Sequence, residues 1–222
     1  MLTLNLSDEE VLAGLSSEQD VGETAKAGHY TLDTPIMVKG HDPLDRLELR
    51  EPTVFDILVQ ARVIGKRATE QSVYDSQIAL VARIGAWPLK AVYELPSSLL
   101  DEAVGYVCQF EEDARRLPDA EPDRAPELHL HLEEPVQAVM REWSDMTLRE
   151  PKVEMRRRFK ATQATATQEA FLQAEITLVQ SVGDWPTAAV LKMPISKFAT
   201  AADYLTGFFI TGQGTGNRFL AG

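Results

Sequence analysis

The chain has 222 residues, 44% hydrophobic and 25% charged, which places it among folded globular proteins and excludes a disordered or fibrous class. A formal net charge of −12 opposes phosphate backbones, so no nucleic-acid partner is expected. Charges and prolines break the apolar runs well short of the roughly 18 residues that a membrane helix needs, and a single cysteine, Cys108, cannot form an internal disulfide.

In chain order, residues 1–28 form an acidic N-terminal extension. Met1–Ser7 shows no basic-then-apolar leader pattern, and Ser7-Asp8-Glu9-Glu10 fits a capping box that opens a short helix with Val11, Leu12 and Leu15 inward. Tyr30 and Leu32, then Leu47 and Leu49, alternate with polar residues, and Lys39-Gly40-His41-Asp42-Pro43 between them is turn chemistry. The pattern predicts a β-hairpin. After Pro52, the residues Val54, Ile57, Leu58, Ala61 and Ile64 follow helical spacing, with Thr53 or Pro52 at the start.

A second helix is predicted over 72–84, burying Ile78, Val81 and Ile84. Gly85 stands where a helix wants a left-handed terminating residue, and Pro88 cannot continue the helix. A third helix starts near Ser98, whose spacing to Asp101 fits a capping box. It turns Leu100, Val104, Val107 and Cys108 inward, the thiol reading as a small buried apolar group. Pro118, Pro122 and Pro126 among charges then mark residues 112–126 as an exposed, stiff linker.

Beyond the linker the chain repeats itself. Leu49-Arg50-Glu51-Pro52 recurs as Leu148-Arg149-Glu150-Pro151, and Gly85-Ala86-Trp87-Pro88 as Gly183-Asp184-Trp185-Pro186, at offsets of 99 and 98 residues. Two matches at nearly one offset, in order, are a duplication and not chance. Pro96 with Pro194, Tyr106 with Tyr204 and Phe110 with Phe208 keep the same register, and in the second copy His129-Leu130-His131-Leu132 and Met146-Thr147-Leu148 supply the strands. The fold class expected is α+β: two tandem copies of a small β-hairpin plus three-helix unit, helix-rich overall. Repeat unit one spans 29–111, repeat unit two 127–209, and a Gly-rich tail 210–222. A unit of this size buries only a modest share of its surface, so the copies are expected to pack on each other.

Chemistry is sparse. His129 and His131 lie on one side of a strand, but two imidazoles without further ligands do not make a metal site, and a solvated strand face is the better reading. Arg156-Arg157-Arg158 with Lys152 and Lys160 is a basic cluster, yet consecutive helical residues point in different directions, so a solvated or internally paired face is favoured. Gly212-Gln213-Gly214-Thr215-Gly216 has no helix after it to complete a phosphate cradle, and Gly65-Lys66-Arg67 lacks the rest of a Walker loop. Asp101-Glu102 and Glu133-Glu134 fall at caps and turns. Trp87 and Trp185 are expected to pack back over their own cores. No catalytic residue, metal ligand or cofactor is assigned, and the chain reads as non-enzymatic.

Thr31-Leu32-Asp33-Thr34-Pro35-Ile36, Leu47 to Thr53, Ile84-Gly85-Ala86-Trp87-Pro88 and Leu95-Pro96 together resemble the phage tail assembly chaperone family that includes tail protein E and its Mu-like relatives. The second copy carries the resemblance through Leu148 to Pro151, Gly183 to Pro186, Met193-Pro194 and Gly207-Phe208-Phe209. Members of that family are commonly one such unit; this chain has two, and an acidic extension. The resemblance implies a chaperone that binds the tape measure protein, or another tail protein, in the host bacterial cytoplasm and keeps it soluble during tail assembly. It implies no membrane partner and no cofactor, and leaves a homo-oligomer open. The partner-binding candidates are Phe208, Phe209, Ile210, Phe219 and Leu220, apolar residues where the fold ends. A structural tail or baseplate component is the alternative; an enzyme would require a role for His129, His131 and nearby carboxylates.

Overall fold

The computed structural model describes residues 28–210, so the expected first helix, the Gly212–Gly216 loop, Phe219 and Leu220 lie outside the described residues. Copy one opens with the antiparallel pair β1 (His29–Ile36) and β2 (Leu44–Glu48). Copy two opens with the longer pair β3 (Glu127–Ala138) and β4 (Arg141–Arg149). Both hairpins carry the same irregularity: the register slips between Thr31 and Ile36 in one and between His131 and Val136 in the other. The slip contains Pro35 in one hairpin and Pro135 in the other, and a residue without an N–H cannot donate to the ladder.

Helix α1 (Val54–Ile64) begins at Thr53, which accepts a hydrogen bond from the Asp56 amide while the Asp56 carboxylate accepts one from the Thr53 amide. That capping box satisfies two groups a helix start leaves open. Helix α2 (Glu70–Ile84) starts two residues before the sequence expectation, because Thr69 and Ser72 form a second capping box. A one-turn helix α3 (Leu89–Val92), unforeseen in the sequence, fills the space between the Trp-Pro and Leu-Pro steps. Helix α4 (Ser97–Glu112) is capped by Pro96 without any side-chain bond, so the Ser98–Asp101 capping box is not formed. Copy two repeats the set as α5 (Val153–Thr162), α6 (Gln168–Gly183), α7 (Thr187–Val190) and α8 (Ile195–Gly207).

Two sequence expectations are corrected here. Gly85 is right-handed (φ −85°), and the left-handed residue is the next one, Ala86 (φ 52°) in copy one and Asp184 (φ 52°) in copy two. The glycines are needed for space. A Cβ on Gly85 would lie 2.5 Å from Leu47 Cδ1, and one on Gly183 2.8 Å from Met146 Sδ, so each helix end can approach its hairpin only without a side chain. Cys108 is exposed, not buried. Leu100, Ala103 and Val107 form the inward stripe of α4, and one further residue turns about 100° away from it.

Each copy has its own core. Leu47, Val81, Ala91, Leu100 and Val107 anchor the first, with Trp87 folded over it; Leu148, Val179, Met193, Phe198 and Leu205 anchor the second, with Trp185 in the matching place. Helix α1 crosses this division. Val54 and Leu58 pack in the core of copy two, and Ile57 touches both cores. The copies are therefore joined by shared burial and not only by the segment between them. That segment is itself engaged: Arg115 bridges Glu111 and Glu175, Arg116 bridges Asp203, and the Tyr204 hydroxyl donates to the Ala125 carbonyl. Arg115 lies between two carboxylates that outweigh the burial opposing its charge and hold its pKa above the usual guanidinium value.

Candidate functional site

Among the described residues, a buried carboxylate with several polar partners lies where copy one meets copy two. Asp56 is 3% exposed and accepts from the Thr53 amide and hydroxyl at 2.9 Å each. Arg50 Nη1 lies 2.8 Å from it and Arg83 Nε 3.9 Å away. Burial raises the carboxyl pKa, but the Arg50 guanidinium and the two Thr53 hydrogen bonds outweigh it, leaving the group below the ordinary carboxylate range. A charged Asp56 thus fixes Arg50 to Thr53, and this fixed segment is what docks.

Docking is reciprocal. The Val54 amide donates to the Met193 carbonyl (3.1 Å) and the Phe55 amide to the Leu191 carbonyl (2.9 Å). In return the Ile195 amide donates to the Pro52 carbonyl (2.9 Å) and the Ser196 amide to a Glu51 carboxylate oxygen (2.8 Å). Two helix starts, α1 and α8, satisfy each other's open amides. The groove beside this junction is lined by Leu132, Glu133, Pro135 and Pro194 of copy two, with Arg50, Glu51 and Thr53 of copy one as its remaining wall.

The candidate residues at the end of the fold have different settings. Phe208 stacks edge-on against Tyr204 (5.3 Å between centroids), and Phe209 packs at 5.2 Å from Phe159 under Arg156. Both are half-buried parts of the copy-two core. Ile210 is 44% exposed, and its carbonyl accepts from Arg124. Of the basic cluster, Arg156 donates to the Phe209 carbonyl (2.9 Å) and Arg158 pairs with Glu154, while Arg157 is exposed. His129 lies 3.1 Å from Thr147 Oγ1 and 3.3 Å from Glu127, and His131 2.7 Å from Asp145; each pairs within the hairpin. Among the described residues no group of three or more His, Cys, Asp or Glu is gathered as a metal site would require, and no helix is long and apolar enough to cross a membrane.

One surface was missed in the sequence. The β3–β4 hairpin turns through Val139 and Met140, both at positive φ (50° and 57°) and 64% and 104% exposed. A two-residue turn of this kind normally takes Asn or Gly, and a β-branched residue there is strained. The signal was partial: alternation breaks at Glu133-Glu134-Pro135 and resumes as Val136-Gln137-Ala138, and the strand runs through the break to Ala138, beyond the four residues read as strand. The tip offers apolar side chains at the far end of a strand pair, pinned at its base by Trp143, whose Nε1 donates to the Ala138 carbonyl, and by Lys192, which donates to the Gln137 carbonyl.

A family model described as phage tail assembly chaperone proteins, E, or 41 or 14, matches residues 29–112 and again 129–210. The two matched stretches are the two hairpin-plus-helices units. No curated protein and no solved structure matches the chain.

Proposed function

This chain belongs to the phage tail assembly chaperone family, in two tandem copies, and on that premise we propose that it binds the tape measure protein and keeps it soluble while the tail is built. The observation that carries the proposal is that both units, and not one alone, match the family. The reading makes it a non-enzymatic binding protein acting in the host bacterial cytoplasm. Exposed apolar groups suit such a role: Ile210, Val139 and Met140 offer surface to the apolar face of a long helical partner.

Within this proposal the contact lies at Phe208, Phe209 and Ile210 with Phe219 and Leu220. Phe208 and Phe209 contribute mainly by holding the end of α8 in place, and Ile210 faces outward. Co-expression of the full chain with the tape measure protein, followed by solubility measurement and pull-down, tests the partner. The expected result is a soluble, co-purifying complex that the finished particle lacks. A tape measure protein equally insoluble with and without this chain, with no co-purification, would remove the chaperone reading in favour of a structural tail component.

A further inference from the structure

The basic cluster on α5 is only partly used inside the fold. Arg156 donates to the Phe209 carbonyl and Arg158 pairs with Glu154, but the side chains of Lys152, Arg157 and Lys160 reach no acceptor among the described residues. All three are exposed. With Val153, which is 86% exposed, Arg157 and Lys160 fall at i, i+4 and i+7, so they form one stripe along the outer face of the helix. Lys152 stands at the helix start without a side-chain cap, in the place that Thr53 takes in α1. The open amides of that start carry the same sign as the cations, so the stripe is a concentrated positive surface on a chain of net charge −12. With one apolar residue at its end, it fits an acidic segment that also carries apolar residues.

The chain contains such a segment in residues 1–27, which lie outside the described residues. It carries six carboxylates, Asp8, Glu9, Glu10, Glu18, Asp20 and Glu23, against one cation, Lys26, and Val11, Leu12 and Leu15 follow Asp8-Glu9-Glu10. Its reach follows from where the described residues begin. Gly28 lies against Tyr106, which packs edge-on against Phe110 beside Ser196 at the start of α8. Helix α8 runs 13 residues, about 20 Å, and beyond its end Phe209 packs on Phe159 of α5. Allowing about one helix diameter at each end, the path from Gly28 to α5 is roughly 40 Å. Residues 13–27 extend to about 50 Å, so Asp8 to Leu12 can lie on α5 of the same molecule. Tethering also raises the effective concentration to roughly the millimolar range, which compensates for the little that each exposed ion pair contributes.

We infer that the acidic segment Asp8 to Leu12 docks on this stripe of α5 in the same molecule, its carboxylates against Lys152, Arg157 and Lys160 and its apolar residues against Val153. Copy one offers no equivalent seat, because the α1 positions Leu58 and Ala61, which match Arg157 and Lys160, are buried. The surface that the junction between the copies covers on α1 is thus exposed on α5, and the chain's own extension covers it. Held by exposed ion pairs, the cover is removed by salt. The inference is independent of which tail protein the chain binds.

Zero-length carbodiimide coupling on the full chain tests it, because the reagent joins a carboxylate to a lysine amine only where the two touch. In cross-linked chain excised from a denaturing gel at its single-chain mass, Asp8, Glu9 or Glu10 should be joined to Lys152 or Lys160 at least fivefold more often than to the exposed Lys39, Lys66 or Lys90. Raising salt from about 0.05 M to about 0.5 M should abolish the preference. Arg157→Glu, at an exposed position and with both lysines left in place, should lower the coupling at least fivefold while the helical circular dichroism stays that of the parent. Val153→Asp should do the same from the apolar end. Coupling without preference among the lysines, or coupling untouched by salt or by the substitutions, would overturn the inference. So would coupling found only at twice the single-chain mass, which places the segment on a second copy, and so would no coupling at all, which leaves the stripe to a partner outside the chain.

Discussion

The two copies share a hairpin, a helix order and a glycine-tryptophan-proline step, yet their first helices have opposite surroundings. Helix α1 buries Val54, Asp56, Leu58, Ala61 and Ile64; helix α5, at the matching place, buries Phe159 alone and carries Arg156, Arg157, Arg158 and Lys160. One helix is wedged between two cores and the other lies on the outside. Duplication copies a fold, but a single chain can use a head-to-tail surface internally only once. The second instance of that surface was free to become charged while the first was held apolar by burial.

Exchange of side chains between the two helices is the strongest way to break this comparison. Leu58→Arg should cost about 3 kcal/mol or more, since an unpaired guanidinium would enter the core of copy two. The reverse change, Arg157→Leu, is exposed and should move stability by no more than about 0.5 kcal/mol. Chemical denaturation of both variants checks the contrast; equal effects would mean that α1 is not shared.

A second contrast concerns the matched glycines. Gly85→Ala should destabilise by about 2 kcal/mol, because the new Cβ meets Leu47, fully buried, and the Val81 carbonyl at 3.1 Å. Gly183→Ala should cost less, since the three nearest atoms all belong to the flexible end of Met146. Melting temperatures of the pair decide it.

Asp56 sharpens the comparison through pH, because copy two has Met155 at that position and no equivalent carboxylate. Its folded pKa is depressed, so its contribution is complete above the unfolded value of about 3.9 and is lost as pH falls through the lower folded value. Asp56→Asn should cost about 1.5 kcal/mol at neutral pH, the range of a hydrogen bond to a charged group. The difference from the parent should shrink below about pH 4. A difference independent of pH would show that Asp56 is not charged when folded.

The smallest effect expected is a gain. Ala86→Gly and Asp184→Gly relieve the left-handed conformation at φ 52° and should each stabilise by up to about 1 kcal/mol, partly offset by the greater freedom of glycine in the unfolded chain. Thermal unfolding would detect the rise, and a fall in both would show that the residues themselves hold the step.

Much of this was legible in the sequence. The repeated Leu-Arg-Glu-Pro and Gly-x-Trp-Pro strings located both units, and period-two and helical spacing named the elements, because local hydrophobic pattern reports which side of an element faces a core. The helix start at Thr53 is legible as short-range capping, whereas the Thr69 cap places α2 two residues before the expected start at Ser72, and at Ser98 a Ser-x-x-Asp spacing is compatible with a capping box without forming one, Pro96 setting that helix start instead. Cys108 was misplaced for a related reason, since periodicity read over a few residues cannot separate the edge of an apolar stripe from its centre.

Sequence by itself determined the duplication, the α+β class and the family, because each rests on residue order. Tertiary structure alone decided that α1 belongs to both cores, that Gly85 and Gly183 serve close approach and not handedness, and that Phe208 and Phe209 face inward while Ile210 faces out. Those outcomes depend on which surfaces meet across some 100 residues of chain, and two copies with the same local pattern do not say which copy's front will meet the other's back.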